Sequence, residues 1–169
     1  MRTIPDPGFA GDDGSAPAAL REALTTFATD PAHPVLPVLD ALQDARLLVP
    51  VVAVLGEVEY DEQGLAHDKT SDMATVLMKG RDGRMALLAF TGTDALDRWN
   101  PEGRPVPVSA RDAAKAALHD GAEALLVDVA GPMMFVVEGE DLRALAEGAT
   151  VVDLAGRHAW VLPEGEQPD

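Results

Sequence analysis

The stretch of residues 47–55 limits most strongly how this chain can fold, because it is almost entirely apolar. It is about half the length of a membrane-spanning helix, so it does not predict a span. A short, nearly continuous apolar run is typical of a β-strand that is buried on both faces. Pro50 interrupts the run and cannot donate a backbone hydrogen bond, so we expect this strand to lie at a sheet edge or to be bulged there.

Most of the other apolar runs come in pairs that are separated by a turn. Gly80-Arg81-Asp82-Gly83 separates the first pair, and its Asp-Gly step is a strong hairpin signal. The three predicted pairs are 74–79 with 84–90, 124–129 with 133–137, and 151–154 with 158–162.

Apolar residues at helical spacing and capping residues predict helices between these strands. The predicted helices are 16–28, one that starts near Pro37, one that is capped at Thr91 and continues to about Trp99, 109–121 and 140–146. Hairpins dominate, and only the helix from Ser109 resembles a crossover connection. We therefore predict an α+β fold with a mixed, mostly antiparallel sheet of about five strands built from hairpins and with helices packed against it.

The ends of the chain differ in composition from its middle. Residues 1–16 are rich in proline, glycine and aspartate and predict a flexible lead-in, and residues 163–169 predict an acidic tail. Residues 17–162 are expected to form a single domain. The start has no apolar run with a small-residue cleavage site, so we expect a cytoplasmic protein.

Charge excludes several classes of partner. The chain has 13 basic and 29 acidic residues and a net charge of −16, which repels nucleic acids and anionic membranes. Residues 69–115 nevertheless carry a net charge of +2, so the remainder carries −18. These basic residues either solvate a hairpin end or form a face for an acidic peptide, a carboxylate ligand or the acidic tail. The absence of cysteine excludes disulfides and thiol nucleophiles.

Signatures of known catalytic and cofactor sites are missing from the sequence. No phosphate-binding glycine loop, serine nucleophile elbow or His-Glu-x-x-His pair occurs. The four histidines are scattered, and the acidic residues at 57–68 do not follow the calcium-loop order. We expect no catalytic residues, no metal site and no cofactor.

Two segments are candidate contact sites. Lys69, Thr70, Ser71 and Asp72 end the polar, irregular stretch 61–71. That stretch is a plain loop, a partner or ligand contact, or the place of a Ser–Lys nucleophile pair. Trp99 and Arg104 border a proline-rich segment, where the tryptophan either packs on the core or anchors a partner.

Five segments of the chain together resemble a known family in their residues and in their order along the chain. They are 48–53, 72–74, 82–91, 99–107 and 128–132, and they include Asp82-Gly83-Arg84 and Trp99-Asn100-Pro101. This set resembles the N-terminal domain of the SseB family, in the form found in high-GC Gram-positive bacteria. The resemblance covers about residues 36–146 and rests on strand cores, turns and helix caps.

The resemblance implies a cellular role and does not imply a catalytic activity. The family has no agreed catalytic residues to carry over, and related domains are associated with type VII secretion loci. The second, C-terminal domain of longer members is expected to be absent here. We therefore predict a non-enzymatic protein-interaction or adaptor module, possessing a protein partner or associating with itself. The alternative is a small-molecule sensor or an enzyme with its site near Lys69 and Asp72.

Overall fold

The computed structural model describes residues 9, 11–30, 32, 34–55, 58–60, 66–68, 71–131 and 133–163. For residues 52–55, 58–60, 66–68 and 71–74 it describes the backbone alone. The helices are α1 Ala18–Thr29, α2 Leu36–Gln43, α3 Thr93–Trp99, α4 Ala110–His119 and α5 Gly139–Ala146. The strands are β1 Arg46–Leu55, β2 Val58–Tyr60, β3 Ala66–Asp68, β4 Ser71–Thr75, β5 Leu77–Lys79, β6 Met85–Ala89, β7 Arg104–Ser109, β8 Ala124–Val127, β9 Phe135–Glu138, β10 Thr150–Leu154 and β11 Arg157–Val161.

Two sheets form the body of the fold. The three-stranded sheet has the order β4-β1-β7 and is antiparallel, and the four-stranded sheet has the order β5-β6-β8-β9. In the second sheet only β6 and β8 run parallel. Leu48 and Phe90 exchange two backbone hydrogen bonds and thereby join β1 to the end of β6. The predicted α+β fold with a mixed, mostly antiparallel arrangement is therefore confirmed.

The prediction that the first strand lies at an edge or is bulged is wrong, because β1 pairs with β4 on one side and β7 on the other. Pro50 is tolerated because it stands opposite Pro105 in the register. Leu48 directs its backbone groups to Phe90, so the alternation of the ladder makes Pro50 and Pro105 a pair that exchanges no hydrogen bonds. The missing N–H of Pro50 also falls between the bridge at Leu48 and the first β4 pair at Val51.

The polar stretch 61–71 is more regular than we expected. Its residues Ala66–Asp68 form β3, which pairs with β2 in an antiparallel hairpin, and β4 begins at Ser71. Residues 61–65 and 69–70 lie outside the described residues, as do most of the predicted lead-in and residues 164–169 of the predicted tail. Hairpins are confirmed within the three predicted ranges 74–90, 124–137 and 151–162. The first is shorter than expected, because residues 74 and 75 belong to β4 of the three-stranded sheet and only Leu77–Lys79 pairs with β6. The strands β8 and β9 are also shorter than expected.

The larger core lies between the sheets and helices α1, α2, α4 and α5. Leu20 and Leu24 of α1 and Leu87 and Leu125 of the four-stranded sheet are almost fully buried in it. The helix α4 contributes only alanines to this core, and their small side chains let the helix lie close to the strands. They are Ala110, Ala113, Ala114 and Ala117.

A smaller core lies on the opposite face of the four-stranded sheet. Leu88 of β6 and Phe90, which follows β6, are fully buried there with Leu96 of α3. Because α3 is a single short helix, it covers only part of this face. The remainder of this face stays partly exposed to solvent at Met78 and Val136.

Candidate functional site: the open face of the four-stranded sheet

Four apolar side chains lie side by side on the partly covered face of the four-stranded sheet. Met78 stands opposite Ala86, and Leu126 stands opposite Val136. Alternation along the strands places all four on the side of Leu88, which is the side of the smaller core. We call Met78, Ala86, Leu126 and Val136 the open sheet face.

The two faces of this sheet are buried very differently. On the covered face, Leu87, Leu125 and Val137 are at most 1% exposed. On the open sheet face, Met78 is 37% and Val136 is 41% exposed, and Met134 just before β9 is 53% exposed. Half-solvated antiparallel sheets normally carry polar residues on their outer face, so an apolar outer face is unusual.

The open sheet face forms the floor of a shallow groove. The groove has a volume of about 340 Å³ and runs from the turn at Gly80 towards Leu126 and Val136. At the other end of this sheet face, the Trp99 ring packs on Phe90, with the ring centroids 5.6 Å apart and the planes inclined by 31°. Trp99 is half-buried and packs on the smaller core, at the end of this sheet face that α3 covers.

The rim of the groove carries two arginines, one with an ion pair and one without. Arg84 is paired: its Nε lies 2.7 Å from Oδ2 of Asp82, and a terminal nitrogen lies 3.0 Å from Oε2 of Glu138. The backbone N–H of Arg84 and then its guanidinium donate hydrogen bonds that lower the pKa of Asp82, and the Asp82 carboxylate raises the pKa of Arg84. Arg81 makes no hydrogen bond or ion pair with any described residue.

The structure separates the residues that the sequence singled out as contact sites. Lys69 and Thr70 lie outside the described residues, and Ser71 and Asp72 pair through their backbones with Leu55 and Val54 of β1. Arg104 begins β7 on the other side of β1, opposite Val51. Ser71, Asp72 and Arg104 thus belong to the three-stranded sheet and not to the open sheet face.

Trp99 and Arg104 lie on different sides of the structure. The register places Arg104, which is exposed, on the same face of β7 as Val108, and Val108 packs on the larger core. Trp99 belongs to the smaller core and contacts the backbone of Gly103, where an added Cβ would lie 3.5 Å from the ring. Most of the surroundings of Trp99 are therefore core residues, as the interpretation that it packs on the core predicts.

Sequence reasoning missed a buried polar pair at the ends of the two parallel strands. The backbone N–H of Thr91 donates to Oδ1 of Asp128 and its hydroxyl donates to Oδ2, both at 2.8 Å. Burial raises the pKa of Asp128, and the hydrogen bonds from Thr91 act in the opposite direction. The crossover-like helix from Ser109 was the sequence signal that could have indicated this pair. A crossover joins parallel strands, and the carboxyl ends of parallel strands lie at the same edge of a sheet.

The described residues offer no other familiar site chemistry. Among them, no group of three or more His, Asp or Glu side chains is arranged to hold a metal ion. No helix in the described part of the chain is long and apolar enough to cross a membrane.

Comparisons with known proteins agree with the resemblance that the sequence motifs indicate. Residues 20–144 match the SseB protein N-terminal domain. This range runs from α1 to α5 and contains the open sheet face, Thr91 and Asp128. No curated protein and no solved structure matches the chain. The family match covers most of the chain, and the protein therefore belongs to the SseB family through its N-terminal domain.

Proposed function

We propose that this domain is a non-enzymatic protein-interaction module and that a partner protein docks on the open sheet face. The observation that carries this proposal is the exposure of Met78 and Val136 beside Leu126, on a sheet whose other face is fully covered. Contiguous apolar surface of this kind marks interaction sites in soluble proteins. The finer role, that of an adaptor accessory to type VII secretion, rests on what the family resemblance implies.

The groove favours a partner segment of a particular chemistry. Its floor is apolar, so the partner contributes apolar side chains, and Arg81 at the rim favours a carboxylate beside them. A strongly acidic partner is disfavoured, because the chain as a whole carries a net charge of −16. We therefore propose a mostly apolar segment of another protein that carries one carboxylate opposite Arg81.

The contact residues that we proposed from the sequence relate to this surface in different ways. Trp99 packs on the smaller core, on the same side of the sheet as the open sheet face, and we retain it as a proposed contact residue. Lys69, Thr70, Ser71, Asp72 and Arg104 remain predictions of a partner contact elsewhere on the chain. A partner that reaches them as well would extend from the four-stranded sheet to the three-stranded sheet.

Site-specific photocrosslinking in living cells tests the proposal with the full chain. A photoreactive amino acid replaces Met78 or Val136, and Leu154 serves as the control position because it is also apolar and is 65% exposed in the β10–β11 hairpin. We expect one discrete adduct from Met78 and Val136, identified by mass spectrometry and absent from Leu154. The substitution Arg81→Glu should reduce this adduct, and Arg157→Glu in the same hairpin as Leu154 should not.

Three results would contradict the proposal. No adduct from either position would remove the open sheet face as a docking site. The same adducts from Leu154 would show non-specific contact. An adduct with the mass of two copies of this chain would show self-association in place of a different partner.

A further inference from the structure

A second cavity lies where the two parallel strands end. It has a volume of about 250 Å³ and shares no lining residue with the groove over the open sheet face. Its floor is Thr91 and Asp128, which follow β6 and β8, and its sides come from α1, α3 and residues 14–16. We call this cavity the carboxyl-end pocket. Ligands in sheets with parallel strands bind outside the carboxyl ends of those strands.

The floor of the carboxyl-end pocket presents a carboxyl group with unused hydrogen-bonding capacity. Asp128 is 4% exposed, and each of its oxygens accepts one hydrogen bond from Thr91. A carboxylate oxygen can accept two hydrogen bonds, so one position on each oxygen remains. Asp128 also has a left-handed backbone with φ of +55°, and non-glycine residues in this conformation cluster at functional sites.

Two guanidinium groups flank this floor without a partner. Arg21 of α1 and Arg98 of α3 both line the carboxyl-end pocket, and neither guanidinium group makes a hydrogen bond or an ion pair with a described residue. The positive charge of Arg98 is close enough to oppose the effect of burial on the pKa of Asp128.

The third wall is held in place by a buried cation. Arg46 is 9% exposed, and its terminal nitrogens donate to the Thr91 carbonyl at 2.8 Å and to the Ser15 carbonyl at 2.6 Å. Its guanidinium also pairs with the carboxylate of Asp12. Residues 12–15 are thereby tied to the end of β6, so the wall is part of the packed structure.

We propose that the carboxyl-end pocket binds a small hydroxylated anion, whose carboxylate or phosphate oxygens lie between Arg21 and Arg98 and whose hydroxyl donates to Asp128. The planar guanidinium group suits both kinds of oxyanion. The cavity volume is below the usual range for drug-sized ligands, which favours a molecule of metabolite size. This binding activity is independent of the proposed protein docking, because the two sites use different residues.

Isothermal titration calorimetry with three defined probes tests the inference on the full chain. Malate and succinate differ by one hydroxyl group, and glycerol 3-phosphate distinguishes phosphate from carboxylate. We expect malate or glycerol 3-phosphate to bind, and we expect malate to bind better than succinate. Arg21→Gln and Arg98→Gln should each weaken binding roughly tenfold or more, which is the effect of losing one moderately strong charged contact.

Matched variants keep the test decisive. Arg157→Gln removes another exposed arginine, which lies outside both the pocket and the groove, and should leave the affinity unchanged. Asp128→Asn presents an amide donor to the ligand and should remove the preference for malate over succinate. Should Asp128→Asn fail to fold, the two exposed arginine variants still decide the question, with circular dichroism as the folding control.

The inference is overturned if none of the probes binds at about 10 mM, a concentration above the dissociation constant of even a weak specific site. It is also overturned if Arg21→Gln and Arg98→Gln bind like the unaltered chain or if Arg157→Gln weakens binding equally. Equal affinity for malate and succinate would overturn the role of Asp128.

Discussion

Asp128 combines two features that are each uncommon in a folded protein. Its carboxyl group is buried, and its backbone lies in the left-handed region. Aspartate is one of the few non-glycine residues that tolerate this region, and Thr91 supplies a hydrogen bond to each carboxyl oxygen. The sequence did not predict the pair because Thr91 and Asp128 are 37 residues apart and meet only through the pairing of β6 with β8.

We expect Asp128→Asn to change how stability depends on pH. Burial raises the pKa of Asp128 above its ordinary value of 3.8, so folding favours the protonated carboxyl. The protonated Asp128 contributes its full stabilisation below the ordinary pKa, and this contribution is lost as the pH rises through the raised pKa of the folded protein. Asparagine does not titrate, so Asp128→Asn should gain stability relative to the unaltered chain between about pH 4 and about pH 7.

Denaturant titrations at the two pH values measure this change as the difference in the free energy of unfolding. Asp97→Asn is the control, because the Asp97 side chain is exposed and its carboxylate makes no hydrogen bond with a described residue. A difference between Asp128→Asn and the unaltered chain that is the same at both pH values would contradict the assigned cause.

Gly92 permits the close approach of residues 14–16. An added Cβ would lie 2.7 Å from the backbone nitrogen of Ala16 and 3.0 Å from the carbonyl oxygen of Gly14. Because backbone atoms cannot move aside like the end of a flexible side chain, we expect Gly92→Ala to cost about 1–3 kcal/mol. Thermal unfolding gives the cost, and hydrogen exchange should show faster exchange in residues 11–16.

The matched substitution is Gly80→Ala, where the nearest atom to an added Cβ is a side-chain oxygen of Asp82 at 3.0 Å. That side chain is exposed and can move, so this variant should stay close to the unaltered chain in stability. Equal melting temperatures for Gly92→Ala and Gly80→Ala would contradict the proposed steric cause.

At the scale of elements, the β10–β11 hairpin depends on polar contacts with helices. Oδ1 of Asp141 in α5 accepts a hydrogen bond from Nε1 of Trp160 and lies 2.9 Å from Nε2 of His158. On the α2 side, Oε1 of Gln43 accepts a hydrogen bond from the backbone of Val151 at 2.9 Å. The hairpin is therefore held from both helices by side chains that are distant from it in the sequence.

We expect Asp141→Ala to loosen this hairpin without unfolding the rest of the domain. The change removes the acceptor of the Trp160 N–H, and losing such a bond costs about 1 kcal/mol. Hydrogen exchange should quicken in β10 and β11 and remain unchanged in β6. Glu140→Ala alters the neighbouring carboxylate and is the control, so equal effects of the two substitutions would count against the proposed contact.

The sequence predicts elements whose signals are local and misses pairings whose causes are distant. The turn at residues 80–83 and the cap at Ser109 each lie within a few residues of the element they define, and both are confirmed. The position of β1 between two strands depends on which residues face Pro50, and this cannot be read from its own apolar run. The helix from Ser109 predicted one crossover connection, but the sequence did not show that β6 and β8 are the parallel neighbours.

At the scale of the whole molecule, two cores of unequal size share one sheet. The larger core takes four helices, and the smaller core takes α3 and Trp99. The apolar composition predicts that a core exists, but composition cannot predict how completely each sheet face is covered. The open sheet face therefore became visible only with the structure, and among the described contact residues proposed from the sequence only Trp99 belongs to the core on that side of the sheet.

The net charge of −16 leads us to expect that salt stabilises the folded domain. Like charges repel one another in the compact state, and salt screens that repulsion over about 10 Å at 0.1 M. The melting temperature in calorimetry should rise as sodium chloride increases from about 20 mM to about 200 mM, which covers this screening range. A melting temperature that falls over this range would show that attractive ion pairs outweigh the repulsion.

The wall of the carboxyl-end pocket and its floor have different origins within the chain. The floor lies inside residues 20–144, which the SseB domain match covers, and the wall of residues 14–16 lies before them. A relative with the same domain but a different segment before it would keep the floor of the pocket and have a different wall beside that floor. Exchanging that segment between relatives would therefore alter which molecule fits, while the architecture beneath stays as it is.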